Sequence, residues 1–127
     1  MKWLYALGIV AVSFFVTLWA LNYFSSQCPQ GRTIALSKPF QKWGEFSYFA
    51  AAPDLAGLSD SAETPSRSKL LVCENNRVLG PPHSQHADIA TKGHGRFSHW
   101  GPGFVFSSTD GSDPNGNGRK YWAVQAQ

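Results

Sequence analysis

The chain has little cysteine, little methionine and little charge. Its 127 residues include two cysteines, one methionine and only 15 % charged side chains. Two cysteines without a C-x-x-C spacing do not point to a redox-catalytic dithiol. No G-x-S-x-G occurs, so the nucleophile elbow of the α/β-hydrolases is missing. The basic excess is also slight. Lys2 aside, ten Lys and Arg are scattered among eight Asp and Glu. There is no basic cluster or RNA-binding motif, and nucleic acid is not an expected partner. The length suits one small domain.

One long apolar run stands out. "WLYALGIVAVSFFVTLWALNYF", Trp3 to Phe24, has 22 residues without a charge, and Ser13 and Thr17 are the polar side chains of its interior. A helix of that length spans roughly 30 Å, the thickness of a bilayer's hydrocarbon layer. Trp3, Tyr5, Trp19 and Tyr23 sit near its ends, where amphipathic rings favour interfaces. A cleaved signal peptide has an apolar core of about 7–15 residues before an A-x-A-like site, and "NYFSSQC" offers no such site. Residues 1–24 therefore read as an uncleaved transmembrane signal-anchor helix. Lys2 before the run, and no charge after it until Arg32, place the N-terminus in the cytoplasm and the rest in a bacterial periplasm. The expected location is a bacterial inner membrane, single pass.

Residues 25–42 are polar and broken by Pro29, Gly31 and Pro39. They read as a stalk or linker that turns into a first short strand around Arg32–Leu36. Residues 43–127 read as a loop-rich, mainly-β extracytoplasmic domain, a short-stranded sandwich or partly open barrel of five to seven strands. "KLLVCE" and "RVLG" flank Asn75-Asn76, a pair that tolerates positive φ and so predicts a tight hairpin. "GFVFSST" and "RKYWAVQ" predict two further strands. "SQHADIATKG" predicts a turn or two of helix stopped by Gly93, and "AGLSDSAETPSRS" a surface loop. Cys28 and Cys73 can pair in an oxidising compartment. Cys73, inside an apolar run, also reads as a small buried hydrophobe.

Candidate sites follow from spacing. In "TDGSDPNGNGRKYW", Asp113, Asn115, Asn117 and Gly118 match positions 1, 3, 5 and 6 of an EF-type loop, with Asp110 as an extra carboxylate. Position 12 is Val124 rather than Glu, and the same letters suit a glycine-rich turn between strands. Calcium is the one cofactor this loop offers. His83, His86, His94 and His99, with Asp88 among them, carry zinc-ligating side chains, but their spacing matches no zinc pattern. Ser84 beside His83 and Ser98 beside His99 are nucleophile and base only by adjacency in sequence, which rarely gives productive geometry. Catalysis is not expected. "GRFSHWG" and "NGRKYW" combine aromatic and polar side chains of the kind that bind sugars. Arg96, His99, Trp100, Arg119, Tyr121 and Trp122 are accordingly the candidate ligand or partner surface.

The motifs in residues 70–122, "EN", "LGP", "HS.H..I", "G.GRFSHW", "FS..D.SDP" and "NGR.Y", resemble an uncharacterised bacterial module. It accompanies methyltransferase- or glycosyltransferase-like proteins, and the resemblance implies surface-glycan biology without implying catalytic residues. Two functions are expected. One is a non-catalytic, membrane-anchored accessory subunit whose helix at 3–24 packs among integral membrane proteins and lipid while the β domain caps the complex. The other is an anchored lectin-like module that binds envelope glycan.

Overall fold

A computed structural model describes residues 2–127, with side chains described at 8–22 and 26–127. Helix α1 covers Lys2–Ser25. Proline is absent from this segment, and its two interior hydroxyls need no outside partner. Ser13 Oγ donates to the Ile9 carbonyl at 2.9 Å and Thr17 Oγ1 to that of Ser13 at 2.8 Å. Among the described residues no helix is long and apolar enough to cross a membrane. This corrects the transmembrane signal-anchor part of the expected fold. The single-pass inner-membrane location, with its cytoplasmic N-terminus and periplasmic domain, is corrected with it. Trp3, Tyr5 and Tyr23, read as interfacial anchors, lie outside the described side chains.

The mainly-β expectation agrees with the structure. Eight strands form two four-stranded antiparallel sheets. The first has the order β1 (Gly31–Ala35), β8 (Tyr121–Ala126), β4 (Leu70–Glu74), β5 (Arg77–Val78). The second runs β2 (Gln41–Lys42), β3 (Tyr48–Ala51), β7 (Gly103–Phe106), β6 (Phe97–Trp100). One apolar core lies between them. Leu70, Val72, Tyr121 and Ala123 come from the first sheet, and Tyr48, Ala50, Phe97, Phe104 and Phe106 from the second. Phe40 closes it edge-on against Phe106 and Tyr121, at centroid distances of 5.1 and 5.7 Å.

The segment read as a stalk lies in this framework. Gln27 bridges Arg77, β1 pairs with β8, and Leu36 and Phe40 are buried. Cys28 and Cys73 form a disulfide with Cα atoms 5.9 Å apart. Closing a loop of 45 residues' separation removes chain entropy from the unfolded state, worth about 4 kcal/mol in the loop-closure account. The Asn75-Asn76 hairpin forms, with Asn75 at φ 50 and Glu74 opposite Arg77.

Side chains alternate across a strand, so the inward Phe104 and Phe106 leave Val105 on the outer face of the second sheet. By the same alternation Phe49, Ser98 and Trp100 face outward, and register aligns Phe49, Val105 and Ser98 in one row. Helix α2 (His86–Lys92) packs on this face against β6 and β7 and buries Ile89. Gly93 ends it at φ 60, a left-handed value that suits glycine.

Candidate functional site

Strand β6 is an edge strand, and the outward polar groups of an edge need partners. Two loops supply them. The Asp60 amide donates to the His99 carbonyl at 2.9 Å, the Ser84 amide to that of Phe97 at 3.0 Å, and the Phe97 amide to that of Pro81 at 3.4 Å. Completing the edge in this way brings Asp60 and His83, 23 residues apart in sequence, into contact.

The Asp60 side chain is 2 % exposed. Its Oδ1 accepts the Ser68 amide at 2.7 Å, and its Oδ2 accepts His83 Nδ1–H at 2.5 Å. A carboxylate is acceptor-only, so the contact fixes the proton on His83 Nδ1 and leaves Nε2 on the ring's far side. His83 is 28 % exposed and holds φ 56. This is an uncommon backbone for a non-glycine residue and costs of order 1–3 kcal/mol. Beside it, His86 Nε2 shares a hydrogen bond of 2.9 Å with Ser98 Oγ. Burial lowers the His86 pKa, so the ring is neutral at neutral pH.

These groups line one cleft of about 470 Å³, together with Pro65, Gln85, Ala87 and Trp100. Trp100 is 42 % exposed, and its ring meets that of His86 edge-on at 6.0 Å. An aromatic wall beside a few fixed polar groups is the usual composition of a small-ligand site. With its proton on Nδ1, the ring of His83 leaves Nε2 to accept a hydrogen bond from a ligand there. Ser98 and His86 have nucleophile–base geometry, but among the described residues no carboxylate is hydrogen-bonded to the His86 ring.

The remaining sequence candidates fall elsewhere. His99 points into the core, stacked on Phe104 at 4.4 Å, with Nδ1 sharing a 2.7 Å hydrogen bond with Ser68 Oγ. Its Nε2 is buried without a hydrogen-bond partner. Burial lowers its pKa, against the opposing charge of Asp60. Ser98 thus meets His86 rather than its sequence neighbour. Tyr121 is buried, and Trp122 lies in the other sheet with Nε1 donating to Cys28 Sγ at 3.3 Å. Arg96 and His94 line a separate groove with Phe46 and Lys92. Asp88 pairs with Lys92 at 3.1 Å. Of the predicted ligand surface, Trp100 alone lines the cleft.

The calcium loop is braced by its own residues. Arg119 grips Asp110 through two bonds of 2.9 and 2.7 Å, and that contact holds the Asp110 carboxyl well below the usual range. Asp113 Oδ1 accepts the Asn115 amide at 2.9 Å. Asn115 pairs with both backbone groups of Phe40, at 2.7 and 2.9 Å. Asn117 Oδ1 accepts the Arg119 amide at 3.0 Å, and its Nδ2 donates to Tyr121 OH at 2.8 Å. A cation there would have to displace Arg119 from Asp110. Among the described residues no group of three or more His, Cys, Asp and Glu is arranged to hold a metal ion.

Asp60, Gln85 and Trp43 were not singled out from sequence. Asp60 sits in "AGLSDSAETPSRS", whose composition signals a surface loop, yet Ser59, Asp60 and Ser68 are buried. From the sequence, Trp100 and the proximity of His83 to His86 pointed toward the cleft. No family model, curated protein or solved structure matches the chain.

Proposed function

We propose that this chain is a lectin-like module that binds glycan in the cleft between β6 and α2. The observation that carries this reading is Trp100, half-exposed in the same cleft as His83, which a buried carboxylate holds in one orientation. A pyranose ring presents an apolar C–H face to an indole, and its hydroxyls need rim partners with fixed donors and acceptors. His83 Nε2 is one such partner, and Gln85 lines the same cleft. Residues 70–122 resemble a module found beside methyltransferase- or glycosyltransferase-like proteins, and the second of these associations fits the same reading. The test is binding to immobilised neutral glycans by the protein and by Trp100→Ala. Because Trp100 is partly in solvent, the variant stays folded and loses binding at least about tenfold. Undiminished binding by a folded Trp100→Ala would sink the proposal.

A second reading, a non-catalytic accessory subunit of a larger complex, is favoured by the apolar side chains that α1 leaves exposed, among them Ile9, Phe14 and Phe15. Gentle purification from the native source distinguishes it. An accessory subunit elutes in a particle of fixed stoichiometry, and a lone monomer removes the reading.

A further inference from the structure

We infer that the ligand is a linear, uncharged polysaccharide chain that runs out of the cleft and across a second aromatic platform, Trp43. This rests on the glycan reading above and extends it. Trp43 is 50 % exposed. Its ring lies flat on Phe49, with centroids 4.6 Å apart and planes 5° from parallel. Phe49 is on the outer face of the second sheet, over Gly103, where an added Cβ would come within 2.7 Å of the ring. The loop that carries Trp43 is pressed onto α2 at Gly44, where a Cβ would lie 2.6 Å from that of Ala90. Two glycines thus admit close contacts that seat the platform, so little rotamer freedom remains to be lost on binding.

His86 joins the two platforms. Its ring centroid is 6.4 Å from that of Trp43 and 6.0 Å from that of Trp100. Trp43, His86 and Trp100 therefore form a continuous ring-lined track, longer than a single sugar. A chain of a few pyranose rings can lie on both indoles at once, whereas a monosaccharide can use only one. The cleft is lined by neither Lys nor Arg, so nothing in it selects a uronate or a sulfated sugar. The matching chemistry is a neutral linear chain with flat apolar faces.

Affinity is measured by calorimetry across neutral β-1,4-gluco- and chito-oligosaccharides, from monosaccharide to hexasaccharide, with an oligogalacturonate as the acidic control. One neutral series tightens by about tenfold once the chain reaches both platforms. Trp43→Ala removes that gain, so that its hexasaccharide binds no more tightly than its monosaccharide. Equal affinity for short and long chains overturns the inference while the lectin reading stands. So does a Trp43→Ala variant that keeps the gain, or one that weakens the monosaccharide as much as the hexasaccharide. Tighter binding of the acidic chain overturns the uncharged assignment. Binding of no saccharide by the folded protein overturns the lectin reading and the inference together.

Discussion

Two polar networks lie at different places on the same sandwich, and they are built to opposite ends. Around Glu74 the network is closed. Its carboxylate accepts the Thr109 amide at 3.2 Å, Thr109 Oγ1 at 2.6 Å, Arg119 Nη1 at 3.2 Å and Tyr121 OH at 2.9 Å. Arg119 then passes to Asp110, and burial, with Glu74 adding to it, pushes the Tyr121 hydroxyl far above its usual pKa. Each partner is used up inside the protein, which suits a brace that holds the 109–120 loop to the first sheet. Around Asp60 the network is open. The carboxylate is sealed, but the chain of contacts ends on His83 at the wall of a cleft. A satisfied network rigidifies, whereas a network with a free end facing solvent-filled space has something left to bind.

Glu74→Ala should separate the two most sharply. It removes the acceptor that Thr109 and Tyr121 share and one of the two carboxylates on Arg119, which keeps Asp110; leaving a buried donor unmet costs roughly 1–3 kcal/mol. Urea denaturation should show that loss, with ligand affinity unchanged in the fraction still folded. A stability loss under about 1 kcal/mol would mean that the brace is ornamental.

Asp60→Asn is the counterpart in the open network. The amide keeps an acceptor for the Ser68 N–H but no longer fixes the His83 proton. Stability should fall by about 1–2 kcal/mol, while glycan affinity falls by about tenfold or more. A variant that loses stability without losing affinity would put Asp60 with the brace.

Acid should act on the second sheet first. Burial lowers the pKa of both His86 and His99, so between the folded values and the unfolded value of about 6.5 the unfolded chain binds more protons. Stability is therefore full above about pH 6.5 and declines as pH falls toward the folded values. Thermal melts at stepped pH check the sign, and replacing both histidines by Gln should flatten the slope. A slope that survives the double substitution would place the sensitivity in other groups.

The smallest effect concerns calcium. With Asp110 held by Arg119, millimolar calcium or a chelator should leave the melting temperature within about 1 °C, since only a ligand that binds the native state raises it. A clear upward shift with calcium would reopen the loop as a metal site.

The difference between the networks also shows which features could be read along the chain. "DPNGNG" advertises chemistry because its letters are adjacent, yet those side chains serve the turn itself and Phe40 across the domain. The cleft has no compact signature. Asp60, His83, His86 and Ser98 come from separate segments, and nothing near Asp60 marks it as buried. Even the legible pair of Ser98 and His99 was misleading, because consecutive strand residues point to opposite faces.

The sequence by itself determined the local features. It set the β-rich character, the Asn75-Asn76 turn, the short helix stopped at Gly93 and the absence of a nucleophile elbow or dithiol motif. Each follows from backbone preference or spacing within a few residues. Only the tertiary structure decided the rest: that Cys28 meets Cys73, that Tyr121 and His99 fill the core while Trp43 and Trp100 stay half-exposed, and that two loops completing the edge of β6 bring Asp60 to His83. Those outcomes depend on which segments become neighbours when the two sheets close. That choice is made by the burial of the whole apolar set and cannot be assigned to any one stretch of it.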